Sequence, residues 1–379
     1  MPADNLPEAQ SRLIDDEPSQ SVKVSVLSSE KLASRRRWRH LSDKTAKVSI
    51  AVGGISVIVA ILLIFAYLFY EVVPLFAGAT VEEAASYDLQ DSSASLHLAI
   101  EEQSEMAMRL GDDGVARFFD LESGENAATI AVKVPSGATI TSFALDSEQS
   151  GLFALGLNTG EAVVARYAYD TRFAQLDNRR ILTPKIDYPF GEIPYTLAVD
   201  KPLASIALRT SGENMMLAAT ARGGELSLLK ASKQTSLFAA FDLGGGAEFE
   251  IEERRLSGMT LGGEQLFIDG DRFWLFVIDD EGLARLLSLR TAFTAPNPQF
   301  EVQALLTAGR ANPTDISFLL GGISLLVGDD QGAISQWFLT KRDDNVALEK
   351  IRSFQDSASP VVSLSPEQRR KSFVSVDAQ

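Results

Sequence analysis

LFVIDDEGLARLLSL, residues 275–289, reads as two β-strands folded about a tight turn. Leu275–Ile278 is apolar and β-prone, Asp279-Asp280-Glu281-Gly282 makes the turn, and a second apolar strand leaves it. Aspartate caps its own turn and tolerates left-handed backbone, while glycine takes positive φ at no steric cost, which is what a tight hairpin demands. The incoming run Trp274-Leu275-Phe276-Val277-Ile278 is apolar on both of the faces a strand presents. That is the pattern of a strand buried between two sheets.

The pattern recurs in MRLGDDGVARFFDL (108–121), LFALGLNTGEAVVARY (152–167), MLAATARGGELSLLK (216–230) and LLVGDDQGAISQWFL (325–339). DDGVARFFDL (112–121) and DEGLARLLSL (280–289) nearly coincide. The turn glycines are Gly114, Gly160, Gly224, Gly282 and Gly332, so the steps are 46, 64, 58 and 50 residues. One prominent hairpin every 50 residues or so predicts an all-β, β-propeller-like domain over residues 80–379. A β-sandwich or a plain stack of hairpins is the alternative.

The last residues follow the same spacing. Ser372-Phe373-Val374-Ser375-Val376-Asp377-Ala378-Gln379 matches Leu325–Gln331, and the next turn glycine falls due 48 positions after Gly332. The spacing predicts a chain that ends inside a hairpin with its last strand unpaired, the N-terminal fragment of a longer polypeptide whose domain is truncated. A natural terminus whose final strand completes an earlier blade is the other reading.

Ahead of the repeats, VSIAVGGISVIVAILLIFAYLFY (48–70) holds 23 residues without a charge, 14 of them Val, Ile, Leu or Phe. As a helix it is about 34 Å long, enough to cross the hydrocarbon core. Those 14 side chains supply roughly −4 to −8 kcal/mol of insertion free energy, and Gly53, Gly54, Ser49 and Ser56 offset only part of it. Tyr67 and Tyr70 suit an interface, and Pro74 stops the helix. Ala77-Gly78-Ala79 resembles a signal-peptidase site, but a cleaved signal has an apolar region of only about 7–15 residues and no leader of 47 residues. A permanent transmembrane helix over 46–73 is expected. Arg35, Arg36, Arg37, Arg39, Lys44 and Lys47 precede it and Glu71, Glu82 and Glu83 follow it. The positive-inside rule puts the N-terminus in the cytoplasm and 80–379 in the periplasm of a bacterial inner membrane, a single-pass topology. Residues 1–45 form an Arg-rich cytoplasmic tail, expected to be disordered because Ser, Asp, Glu and Pro are mixed without periodicity.

The net charge is −16. Residues 1–79 carry nine basic and eight acidic side chains, and 80–379 carry 26 and 43, so the acidity belongs to the outer domain and nucleic acid is excluded as a partner. There is no cysteine and only His40 and His97, which removes thiol and nearly all imidazole chemistry. No P-loop, dinucleotide fingerprint, GxSxG elbow or HExxH occurs. Asp112-Asp113, Asp279-Asp280, Asp329-Asp330 and Asp343-Asp344 could hold calcium, yet three of the four lie in hairpin turns and none has the ligand spacing of an EF-hand. Arg117 and Arg285 occupy equivalent repeat positions and read as anion ligands or, more simply, as packed stems with snorkelling heads. Tyr188-Pro189-Phe190-Gly191-Glu192-Ile193-Pro194-Tyr195 reads as a contact surface or a stiff inter-blade connection. Ser49, Gly53, Ser56 and Ala60 could admit a second membrane helix. No catalytic, cofactor-binding or metal site is assigned, and the chain is expected not to be an enzyme.

Asp43-Lys44 followed by GGISVIVAILLIFAYLFYEVVPLFAGA (53–79) resembles the first membrane helix of proteobacterial permease subunits of the phosphate ABC importer. The likeness is to the enlarged form, in which a periplasmic domain separates that helix from the rest. It is sharp over about 35 residues and architectural beyond. The resemblance implies a second permease subunit, ATP-binding subunits and a periplasmic phosphate-binding protein as partners, beside the lipid bilayer. The family's later membrane helices and coupling loop do not occur in this sequence, so no transport residue carries over. The functional expectation is a partial permease component whose propeller makes protein contacts. A complete single-pass envelope scaffold is the alternative, and a propeller enzyme of the glycosidase or quinoprotein kind ranks last because no convergent His or metal set is visible.

Overall fold

Residues 1–84 and 85–379 form two separate compact units. The computed structural model describes residues 29–76, 86–87, 92–174, 180–234, 249–256, 261, 264–309, 311–342, 345–355, 358–367 and 369–378.

Among the described residues, the first unit holds one helix, α1 (Ser29–Val72), closed by a 3₁₀ turn over Val73–Phe76. The α-helix stops two residues before Pro74, which has no N–H and disfavours helix at the preceding residue. Leu41–Val72, 32 residues, is long and apolar enough to cross a membrane, with none of its most apolar window buried. The expected tail boundary is corrected: the helix starts at Ser29, not near residue 46. Its first turns are rich in Lys, Leu, Ala and Arg, all good helix formers, and they extend a helix already nucleated, which adds a hydrogen bond for each residue fixed. The expected disorder of residues 1–28 lies outside the described residues.

The second unit is a β-propeller. Sheets I (95–131), II (140–187), III (203–256), IV (265–305) and V (313–355) each contain a four-stranded antiparallel meander in chain order. A short strand, Tyr195–Thr196, also pairs with the third strand of sheet II. Sheet VI (361–377) has two strands. The recurring hairpin is the second and third strand of each meander: its glycines have φ between 74° and 87°, and each donates its N–H to the carbonyl three residues back at 2.9–3.2 Å. In sheets I–V the second strand is buried on both faces, as the apolar runs require. In sheet IV, Leu275 and Val277 join the layer against sheet III, whereas Phe276 and Ile278 join the layer against sheet V. Five such layers separate the six sheets. A sandwich would have one shared layer. The first strands of all six sheets line one cavity, which is radial packing rather than a stack.

The expectation of an unpaired last strand is also corrected. Phe373–Asp377 pairs antiparallel with Val361–Pro366, and Ala378 donates its N–H to the Pro360 carbonyl at 3.0 Å. Asp330 makes the same bond to Asn312, and Asp112 to Ala94, so Phe373–Asp377 is the second strand of its sheet. The hairpin alignment had placed it there, but the alignment could not show the first strand beside it.

Candidate functional site: the central cavity

The cavity has a volume of about 830 Å³. Its wall is built from the inner strand of each sheet and the turn that follows it. These strands carry polar residues that the repeat reading passed over, and several of them clamp one sheet to the next.

Arg209, near the end of the inner strand of sheet III, is the hub. Its Nη1 donates to the Asp146 carbonyl of sheet II at 2.6 Å, and its Nε donates to the Ile268 carbonyl of sheet IV at 3.3 Å. Its guanidinium carbon lies 5.9 Å from the ring centre of Phe318 in sheet V. One side chain therefore touches three other sheets. The Asp146 carboxylate, buried, accepts from the Thr210 N–H and hydroxyl, each at 2.8 Å, and lies 3.7 Å from Arg209 Nη1. Burial lowers the Arg209 pKa below the usual arginine value, and the charges of Asp146 and Asp269 oppose that shift. Burial also raises the Asp269 carboxyl, against the Phe273 and Trp274 N–H groups that it accepts at 2.8 Å.

The clamps continue around the axis. Thr141 donates its hydroxyl to the Leu203 carbonyl at 2.7 Å, tying sheet II to III. Gly270 donates its N–H to the Gly322 carbonyl at 2.8 Å, tying the inner turns of IV and V. Asp315 of sheet V accepts the Leu364 N–H of sheet VI at 2.6 Å. His97 of sheet I stacks on Phe143 of sheet II at 5.6 Å, with Nε2 3.5 Å from Glu148. Asp146 and Asp315 of this wall, and Asp269 beside it, thus do structural work: each accepts a backbone N–H.

That assignment is testable at Asp315. Asp315→Ala removes a charge-assisted bond of roughly 1.5–3 kcal/mol that joins the two-stranded sheet VI to sheet V beside their shared apolar layer. Amide exchange over 361–377 is expected to accelerate about tenfold or more, since about 1.4 kcal/mol is tenfold, while sheets II and III keep their protection. Unchanged exchange there would show that the bond holds nothing.

The residues singled out by sequence fall elsewhere. Arg117 pairs with Asp113 at 2.7 Å and the Val115 carbonyl at 3.2 Å. Arg285 pairs with Glu264 at 2.8 Å over the Phe300 ring. Both positions are equivalent, both arginines serve local packing, and neither lines the cavity. The turn aspartates cap backbone: Asp279 accepts from Glu281 and Leu283, and Asp329 from Gln331 and Ala333. Asp112 accepts the Ala94 N–H, while Asp343-Asp344 lies outside the described residues. The 188–195 loop lies in the connection between sheets II and III, with Ile193 84% exposed. Phe190 and Tyr195 are buried in the layer between sheets II and III, the Tyr195 hydroxyl donates to the Phe190 carbonyl at 2.5 Å, and Tyr188 accepts the Lys133 N–H at 2.7 Å. Burial pushes the Tyr195 phenol up to about 12. On α1, Ser56 donates back to the Gly53 carbonyl at 2.8 Å.

The clamp residues had a faint sequence signal. Asp146-Ser147 and Arg209-Thr210 stand at the same place, just ahead of the turn that leads into each apolar run, but no local motif marks them.

No known protein family matches the sequence, and no curated protein matches it. Solved structures are similar to it, among them the following two. One is the Cps50 (Swd1) β-propeller domain of Myceliophteria thermophila, 13% identical, covering 70% of this chain and 73% of that chain with a TM-score of 0.40. The other is Raptor of Chaetomium thermophilum, 13% identical, covering 73% of this chain and 22% of that chain with a TM-score of 0.42.

Proposed function

We propose that this chain is a membrane-anchored permease component of an ABC importer for phosphate, with its propeller in the periplasm as a protein-contact module. The observation that carries the reading is the pairing of one exposed, membrane-length helix with a β-propeller domain in which Arg209, Asp146, Thr210 and Asp315 bond one sheet to the next. The resemblance of residues 43–44 and 53–79 to the first permease helix supplies the transporter and the cargo. The six basic residues before the helix and the acidic residues after it support a cytoplasmic N-terminus. The excess of 43 acidic over 26 basic residues beyond position 79 makes the domain a poor direct ligand for phosphate, so the partner is a protein such as the phosphate-binding subunit.

Deleting the gene is expected to abolish high-affinity uptake of labelled phosphate at limiting concentration, and the ATP-binding subunits are expected to co-purify with the tagged protein. Protease added to intact spheroplasts should digest the region after Tyr70. Normal uptake in the deletion strain, with the domain still cut in spheroplasts, would leave a single-pass envelope scaffold. Protection from protease would reverse the topology and remove the transporter reading with it.

A further inference from the structure

We propose that Ser34–Lys47 of α1 is an interfacial segment that selects anionic phospholipid headgroups, a role separate from anchoring. The helix is unbroken for 44 residues, about 66 Å at 1.5 Å per residue. Its uncharged stretch, 48–70, needs only about 34 Å of that length. The turns before it carry Lys31, Arg35, Arg36, Arg37, Arg39, Lys44 and Lys47 against Glu30 and Asp43.

Seven basic residues stand against two acidic ones in the turns immediately before the uncharged stretch, the charge pattern of a segment drawn to an anionic bilayer surface.

The depth also fits. Lys44 and Lys47 lie within about 6 Å of the start of the uncharged stretch, inside a headgroup layer roughly 5–7 Å deep. On an upright helix Arg35–Arg39 would stand about 14–20 Å out. A tilt of up to about 40° brings them to about 10–15 Å, within roughly a Debye length of the headgroups. The occupant is therefore the anionic leaflet itself, and the inference is independent of the transported cargo.

The test uses the full chain in vesicles of phosphatidylcholine and phosphatidylglycerol at 3:1, with spin-labelled lipids reporting which headgroup collects around the protein. Phosphatidylglycerol is expected to be favoured about threefold or more at low salt, with the preference lost as salt is raised. R35Q/R36Q/R37Q/R39Q should bring the ratio close to one, whereas R35K/R36K/R37K/R39K should keep it, because the interaction reads charge. If the glutamine variant fails to insert, the salt titration of the unaltered protein still decides. No headgroup preference at low salt, or a preference that neither salt nor the glutamine variant changes, would overturn the proposal. The first of those outcomes would leave an acidic protein surface as the partner of the segment.

Discussion

Arg209→Ala is expected to cost about 3–5 kcal/mol of folding stability, because it removes one partner of a buried charged group and frees two backbone carbonyls. The Asp146 and Ile268 carbonyls each lose a donor, and the Asp146 carboxylate loses its neighbouring cation. The loss is not that of a surface ion pair: the Arg209 side chain is 13% exposed and that of Asp146 is 5% exposed. Denaturant unfolding of the detergent-solubilised chain, followed by Trp fluorescence, gives the number. Arg209→Lys keeps the charge but cannot reach two carbonyls on opposite sides, so it should fall between alanine and the native residue. A change below about 1 kcal/mol on alanine substitution would show that the layers between sheets, not the axial clamp, hold the ring.

Gly160→Ala should be nearly as damaging, and Gly114→Ala much milder, although both glycines occupy the same turn of the repeat. Both have positive φ, 87° and 74°, which by itself costs an alanine about 1–2 kcal/mol. At Gly160 an added Cβ would meet the Ala198 carbonyl oxygen at 2.3 Å and the Lys201 carbonyl oxygen at 2.9 Å, both backbone atoms. The Gly160 carbonyl also accepts the N–H groups of Leu197 and Ala198, so the clash sits on a link between sheets II and III. At Gly114 the Cβ would meet only the Ile140 and Val134 side chains at 3.4 and 3.6 Å, ordinary contact distances. About 3 kcal/mol or more is expected at 160 against about 1–2 at 114. Equal losses at the two sites would mean that φ strain alone sets the cost.

The hairpins were legible because they are local. Turn chemistry is written in four residues, and burial on both faces leaves an uninterrupted apolar run such as Leu152–Leu157, split in the structure between two layers. The outer strands were harder to read. The fourth strand of sheet I, Asn126–Ala131, is largely exposed and mixes polar and small residues, so periodicity alone gives no sharp signal there. The helical boundary was misread for a related reason: composition without periodicity suggested disorder, whereas continuation from a formed helix needs no amphipathic pattern.

From the residues alone came the apolar rod, the repeat and its spacing, the left-handed turn positions and the acidity of residues 80–379, since each depends on neighbours a few places away or on a sum over the chain. Only the tertiary structure decided that the sheets are arranged about one axis and that Arg209, Asp146, Thr210 and Asp315 converge there. Arg209 and Asp146 are 63 residues apart, and Asp315 and Leu364 are 49 apart. Contacts across such separations follow from how the sheets pack, and no local rule of turn or strand chemistry encodes them.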